Sequence, residues 1–331
     1  MMNWTRLGVL KTAVILVLFL GLFGFPGMST AEKRVKFRMD WKMSATHSPF
    51  LIADGKGFYK AEGVSVRVIG GSGSTVSLKQ LGGGAIEFAL VDAPVLVQGR
   101  VKGVPAKAIA VYYQRTPHTI LWNAKKHTVR KPKDLIGLKV GVKKQSSTFQ
   151  GFRVFAQAQG IDMKKQITLV PIGFGVAPLL AGQVDAMVGF TMNEPLTAAD
   201  KGIQVGEMLF ADYGVKMYGL TISTREDLMK SDPATIRAFL KGSLKGLEYG
   251  AAHPDEVVAA IRKVVPQAKP NRERRLWDKI TKTVLYPKGP KKSVGLQTEG
   301  GWTETQNTLF GLKLIEEKVP VGTIFSNAYQ P

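Results

Sequence analysis

Apolar positions in this chain fall into short runs divided by glycine-rich turns, and these runs alternate with longer stretches of helical spacing. The pattern predicts strands at Val35–Met39, Val64–Ile69, Phe88–Val91 and Ala106–Tyr113. It predicts helices between them at Pro49–Lys60, Ser74–Leu81 and Pro94–Val101. A second series follows Thr119–Asn123, with strands at Lys139–Val142, Ile167–Pro171 and Ala186–Gly189. Its helices are Ser147–Ala158, Val176–Ala181 and Pro195–Lys201. From Pro233 onward only helical spacing remains, over Pro233–Gly250, Pro254–Val265, Arg272–Val284 and Trp302–Glu317. Pro233 and Pro254 suit a first helical turn, where a missing N–H costs nothing. Strand–helix alternation with short turns implies an α/β class with mostly parallel sheets.

The two series share a short repeat. Leu81-x-x-Gly84-x-Ile86-Glu87 matches Leu179-x-x-Gly182-x-Val184-Asp185. Each copy ends a helix, turns at glycine and enters a strand, as expected if two equivalent α/β lobes face each other. In open α/β sheets, ligands gather beyond the carboxyl ends of strands. The residues following each strand are therefore the candidates for a cleft.

After the first strand come Asp40 and Trp41, then His47. A strand-end aspartate can accept two hydrogens from an amine or amidine, and tryptophan offers a flat face for stacking. Helix capping by the aspartate is the structural alternative. The second strand is followed by Gly70-Gly71-Ser72-Gly73-Ser74-Thr75. This stretch can turn N–H groups and hydroxyls toward a polar edge, or serve as an ordinary capping turn. It lacks the Gly-Lys-Ser/Thr ending of a phosphate loop. Asp92 follows the third strand. In the second series, Ser146 and Ser147 repeat the donor-rich helix start, and Phe190, Asn193 and Glu194 follow the strand at Ala186. Tyr112, Tyr113 and Tyr218 fall near the two expected crossings between lobes.

Enzyme signatures are scarce. The chain has no cysteine, no Gly-x-Ser-x-Gly and no His-Glu-x-x-His, and its four histidines lack metal-ligand spacing. No cofactor is expected. Arg6 and Lys11, the apolar run Ala13–Phe25, the break at Pro26-Gly27 and the small residues Ser29-Thr30-Ala31 form the pattern of a secretory signal peptide over residues 1–31, cut after Ala31. A retained anchor is the rival, though the apolar run falls short of the roughly 20 residues a span needs. Without cysteine there is no lipid tether, so a periplasm is the expected compartment. The net charge of +21 would suggest nucleic acid in a cytoplasmic protein, but export argues against such a partner. Pairs such as Lys125-Lys126, Lys143-Lys144 and Lys164-Lys165 read as solvated charges, leaving a hint of an anionic ligand or an anionic membrane or partner face.

The run Met39-Asp40-Trp41 … His47 … Ala53-Asp54-Gly55-Lys56-Gly57-Phe58-Tyr59-Lys60-Ala61-Glu62-Gly63-Val64 resembles the opening of periplasmic solute-binding proteins of ABC importers. The similar subgroup includes binders of thiamine-pyrimidine precursors, alkanesulfonates and nitrate. Gly57 to Gly63 is its most specific local element, and Asp134–Val142 and Leu179–Val188 continue the likeness. The resemblance implies a two-lobed type II periplasmic binding fold with a central ligand cleft and a helical C-terminal part. It implies a discontinuous first lobe (32–121 and 221–331) and a second lobe (122–220) that closes on ligand. It also implies a monomer that docks transiently on a permease with its ATPase. The opening Asp40-Trp41 with His47 and the loop Asn193-Glu194 resemble the pyrimidine-precursor binders, with Trp41, Phe190 or Tyr218 stacking on the ring. Lys42–Thr46 departs from the asparagine-rich stretch of those proteins. A sulfonate, nitrate or aromatic carboxylate would instead rely on Ser72, Gly73, Ser74, Ser146 and Ser147. A fungal branch of the fold is enzymatic and uses a cysteine-rich motif, which this chain lacks.

Overall fold

The computed structural model describes Met1 and residues 32–144, 146–173, 175–286 and 294–331. The expected signal peptide lies outside the described residues, apart from Met1. Residues 33–331 form one compact unit.

Ten strands build two five-stranded sheets. The first contains β1 (Lys33–Arg38), β2 (Val64–Ile69), β3 (Phe88–Asp92), β4 (Ala106–Val111) and β10 (Leu220–Arg225) in the order β2-β1-β3-β10-β4. The second contains β5 (His118–Asn123), β6 (Lys139–Val142), β7 (Thr168–Pro171), β8 (Ala186–Phe190) and β9 (Val205–Leu209) in the order β7-β6-β8-β5-β9. The two orders are topologically the same. In each sheet three strands pair in parallel and a fourth runs antiparallel between two neighbours: β10 between β3 and β4, β5 between β8 and β9. The α/β class is therefore as expected, but the sheets are mixed rather than mostly parallel. The antiparallel strands are the ones that follow the two crossings, residues 112–117 and 210–219.

The short repeat has a structural counterpart. Gly84 (φ 76) and Gly182 (φ 68) both adopt the left-handed turn that glycine allows cheaply. Glu87 then accepts the Lys36 N–H at 2.7 Å, and Asp185 accepts the Lys139 N–H at 2.8 Å. Each carboxylate ties down β1 or β6 one residue ahead of its first pair with β3 or β8, the same point in both sheets.

The helices follow the alternation. In the first half α1 (Ser48–Gly55), α2 (Ser74–Gly82) and α3 (Ala93–Val101) connect the strands. In the second, α4 (Ser147–Ala158), α5 (Met163–Gln166), α6 (Ala177–Leu180) and α7 (Glu194–Asp200) do so. After β10 come α8 (Glu226–Ser231), α9 (Pro233–Ala252), α10 (Pro254–Val264), α11 (Pro270–Ile280) and α12 (Glu299–Gly311). The last of these is shorter than its helical spacing suggests, because Lys313 turns left-handed (φ 56).

One core lies between the first sheet and α1, α9 and α11. There Phe239 of α9 stacks on Phe88 at 3.7 Å and meets Phe37 edge-on at 5.0 Å. Truncating such a side chain costs about 3–5 kcal/mol. Gly246 lets α9 reach α1, since a Cβ there would sit 2.3 Å from the Pro49 carbonyl oxygen. A second core joins the other face of the first sheet to the second half through α3, α4 and α12. No helix among the described residues is long and apolar enough to cross a membrane.

Candidate functional site

Sheet topology sends the carboxyl ends of β1, β2 and β3 and those of β6, β7 and β8 into two sets of loops, and the halves meet at a seam where several of these residues come together. On the first half the loops are knitted by backbone. Gly73 N–H donates to the Asp40 carbonyl at 2.7 Å, and Gly71 N–H to the Trp41 carbonyl at 2.8 Å. Ser77 Oγ donates to the Met39 carbonyl at 2.8 Å. The fit is so close that a Cβ on Gly71 would lie 2.0 Å from the Met39 carbonyl oxygen.

This frame holds a dyad. His47 is 1% exposed. Its Nδ1 accepts the Ser44 N–H at 3.2 Å, so Nε2 carries the proton and donates to Asp40 Oδ1 at 3.1 Å. The histidine stands behind the aspartate and acts through it, a role different from the ligand contact expected for it. Glu273 of α11 fixes the same turn by accepting the Ala45 N–H at 2.7 Å. Trp41, 43% exposed, sits at the rim beside Asp40.

Asp92 ends β3 beside Asp40. Its own N–H donates to Ser74 Oγ at 3.0 Å. Burial, reinforced by the negative charge of Asp40, pushes the Asp92 carboxyl up to about 7. Its Oδ2 lies 3.9 Å from Nε2 of His118, the first residue of β5, too far for a hydrogen bond. Burial lowers His118 to about 3, so its ring is neutral. Asp92 Oδ2 and both His118 ring nitrogens are buried without a hydrogen-bond partner among the described residues. Phe190 packs edge-on against His118 at 5.2 Å, and Ser147, Pro94 and Met217 line a small cavity together with His118. Among the described residues, no cluster of His, Asp and Glu could hold a metal ion.

The second half contributes differently. Glu194 Oε2 accepts the Phe190 N–H at 2.8 Å, and Oε1 lies 3.8 Å from Lys143 Nζ. Its carboxylate is folded onto the end of β8. Asn193 is exposed and its Oδ1 accepts weakly from Arg272 at 3.4 Å. Ser146 caps α4, accepting the Phe149 N–H at 3.2 Å and donating to the Lys143 carbonyl at 2.8 Å. Ser72 and Gly73 stay on the loop above α2. Tyr218 turns away to α12, where its hydroxyl accepts the Thr298 N–H at 3.1 Å and its ring meets Trp302 at 5.4 Å. It is thus committed to packing rather than stacking on a ligand.

The sequence reading missed His118 and Met192. Met192 is buried against the first-half core with Phe190 and Leu196 beside it, and so closes the seam. A histidine opening a strand beyond a crossing was the available signal for His118.

The fold and sequence both have known counterparts. The riboflavin-binding protein RibY of Chloroflexus aurantiacus is 26% identical over 322 residues, covering 92% of this chain and 88% of its own. The formylaminopyrimidine-binding protein of Halalkalibacterium halodurans is 25% identical, covering 90% and 91%. A 4-amino-5-hydroxymethyl-2-methylpyrimidine phosphate synthase of Legionella pneumophila also matches, at 23% over 92% and 94%. Among solved structures, the periplasmic aliphatic sulphonate binding protein SsuA of Escherichia coli superposes with a TM-score of 0.70 at 14% identity, covering 88% and 91%. The architecture is that of periplasmic binding proteins. With the NMT1/THI5 like family model matching residues 44–257, the chain belongs to that family.

Proposed function

We propose that this chain is the solute-binding component of an ABC importer. It captures a small nitrogen heteroaromatic of the thiamine-pyrimidine-precursor type between two lobes, residues 32–121 with 221–331 and residues 122–220. It then presents the ligand to a permease and its ATPase from the periplasm. The observation that carries the reading is the group of unpaired polar atoms at the seam, Asp92 Oδ2 and the two His118 nitrogens, beside the His47-oriented Asp40. Native proteins rarely leave buried polar atoms unpaired, and a ligand edge is one reason they do.

The chemistry favours a ligand with both donors and acceptors. His47 occupies Asp40 Oδ1 and leaves Oδ2 for an exocyclic N–H. Asp92, whose carboxyl titrates near 7, can carry a proton and donate it to a ring nitrogen. Trp41 and Phe190 supply ring faces. Both binding-protein relatives are named for nitrogen heteroaromatics, which supports the same class. An oxyanion is favoured less, because Ser146 spends its hydroxyl on the protein itself, donating to the Lys143 carbonyl and accepting the Phe149 N–H. The role is reversible binding without turnover.

Titration calorimetry of the purified protein against an aminopyrimidine, an aliphatic sulfonate and nitrate tests this reading. We expect saturable binding of the aminopyrimidine, recovered with unchanged mass. Asp40→Ala should weaken binding about 10–100-fold through loss of a charged hydrogen bond. Saturation by a sulfonate with no response to the pyrimidine would overturn the reading, as would chemical conversion of the bound ligand.

A further inference from the structure

The far end of the second half carries a concentration of charge that the binding site does not use. Strands β6, β7 and β8 are parallel, so their amino ends share one edge, and antiparallel β5 brings its carboxyl end to the same place. The cleft-side loops leave from the opposite ends, about four to five residues of strand away, or roughly 15 Å. Lys125 and Lys126 lie on the turn after β5. Arg130, Lys131, Lys133 and Lys139 lead into β6, and Lys164 and Lys165 sit on α5 before β7. All are exposed, and none forms an ion pair among the described residues.

The three carboxylates at this end are already engaged. Asp134 accepts the Arg130 and Lys131 N–H groups at 2.8 and 3.1 Å. Asp162 caps α5 by accepting the Lys164 N–H at 2.9 Å. Asp185 accepts the Lys139 N–H and faces His127 at 3.2 Å. Elsewhere basic residues meet acidic partners, as in Lys56–Glu256 and Lys241–Glu62. Two large aliphatic side chains are exposed on the same end: Ile136 in the loop before β6 and Leu180 at the end of α6. The turn after Leu180 is fixed beside the lysines, since a Cβ on Gly182 would lie 3.6 Å from Lys126 Nζ.

We propose that this end of the second half is a docking face for an anionic lipid surface, with the cations held against headgroup phosphates and Ile136 and Leu180 reaching the acyl boundary. Cations attract the headgroups at long range, and aliphatic side chains set among them add a contact that salt does not screen. A protein held by this face keeps its ligand cleft directed away from the lipid it touches, so membrane association and solute capture can coexist.

Co-sedimentation with vesicles tests the proposal, using phosphatidylcholine alone and phosphatidylcholine with about 30% phosphatidylglycerol. Binding is expected only to the anionic vesicles. The triple variant Lys125→Glu, Lys126→Glu, Lys131→Glu should lower the partition coefficient at least about tenfold. The control Lys102→Glu, Lys230→Glu, Lys263→Glu carries the same charge change on the first half and should lower it less than about threefold. The pair Ile136→Ser, Leu180→Ser should abolish the binding that survives at about 0.5 M salt. Circular dichroism confirms that each variant is folded. Equal losses in the triple variant and its control would assign the binding to net charge and overturn the proposal. Retention on heparin without vesicle binding would overturn it too, in favour of a soluble polyanion.

Discussion

The two halves share one sheet order, yet the loops at the carboxyl ends of their parallel strands are built on different principles. In the first half, backbone hydrogen bonds from Gly71 and Gly73 lock the loops after β1 and β2 together, and behind them stands a buried histidine that orients Asp40. In the second half, the corresponding loops end in self-contained caps: Ser146 on α4 and Glu194 folded onto β8. A rigid, pre-oriented edge lowers the cost of ordering polar groups around a ligand. Under the proposed function, the first half would grip a ligand and the second would cover it.

The largest expected effect tests the rigidity itself. Gly71 and Gly173 occupy the same place, two residues beyond β2 and β7. A Cβ on Gly71 would meet backbone atoms at 2.0 Å, whereas one on Gly173 would meet nothing within 4 Å. Gly71→Ala should cost about 3 kcal/mol or more in denaturant unfolding, because backbone atoms cannot rotate out of the way. Gly173→Ala should stay within about 0.5 kcal/mol. Equal costs would erase the contrast between the halves.

Next comes the carboxyl at the seam. Asp92 has its pKa raised in the folded protein to about 7, from a usual value near 4. Between these values the native state binds more protons than the unfolded one, so this group's contribution to stability falls as pH rises from about 4 to 7. Asp92→Asn removes that slope. The variant should gain on the order of 2–4 kcal/mol relative to the parent between pH 4 and pH 8, read from urea midpoints. Neutral His118 has its pKa lowered to about 3 and pulls the other way: it costs stability as pH falls below about 6.5. The aspartate substitution leaves that limb in place.

Smaller effects separate the two serines. Ser146→Ala removes the cap of α4 and should cost about 1 kcal/mol at every pH. Ser74→Ala should cost a similar amount, but it also frees the Asp92 N–H and so should move the Asp92 transition along the pH axis. A pH-independent loss in both variants would mean that Ser74 is only a helix-end residue.

How much of this was legible in the sequence follows from how each element hides its interior. β1, β3 and α4 announced themselves because their buried positions are mostly apolar. β10 escaped because three of its five buried positions carry hydroxyls, Thr221, Ser223 and Thr224: Thr221 Oγ1 donates to the Val91 carbonyl at 2.8 Å and meets Ser223 at 3.0 Å. β9 is short and opens with Val205-Gly206, where the glycine makes room for the Trp122 ring. The rule that ligands lie beyond strand ends brought Asp40 and Asp92 to the seam. It could not tell Tyr218 from a cleft residue, since its partners on α12 lie about 80 positions further along the chain. Nor could it pair His118 with Asp92, because the two meet only when the crossing segment delivers β5 to the other half.

The smallest effect concerns what holds the halves against each other. Arg272, Arg275 and Lys279 of α11 reach across to Thr197, Asp200 and Glu207: Arg272 donates to Thr197 Oγ1 at 2.9 Å, Lys279 meets Glu207 at 2.5 Å, and Arg275 pairs with Asp200. These ion pairs are partly exposed, and such pairs contribute about 0.2–1 kcal/mol and fade with salt. Arg275→Ala should therefore shift the unfolding midpoint slightly at low ionic strength and not at about 0.5 M salt. If the first half supplies the grip, ligand affinity should change less than about threefold in the same variant. A loss above about tenfold with unchanged stability would place the decisive contacts in the seam, and the second half would then be more than a cover.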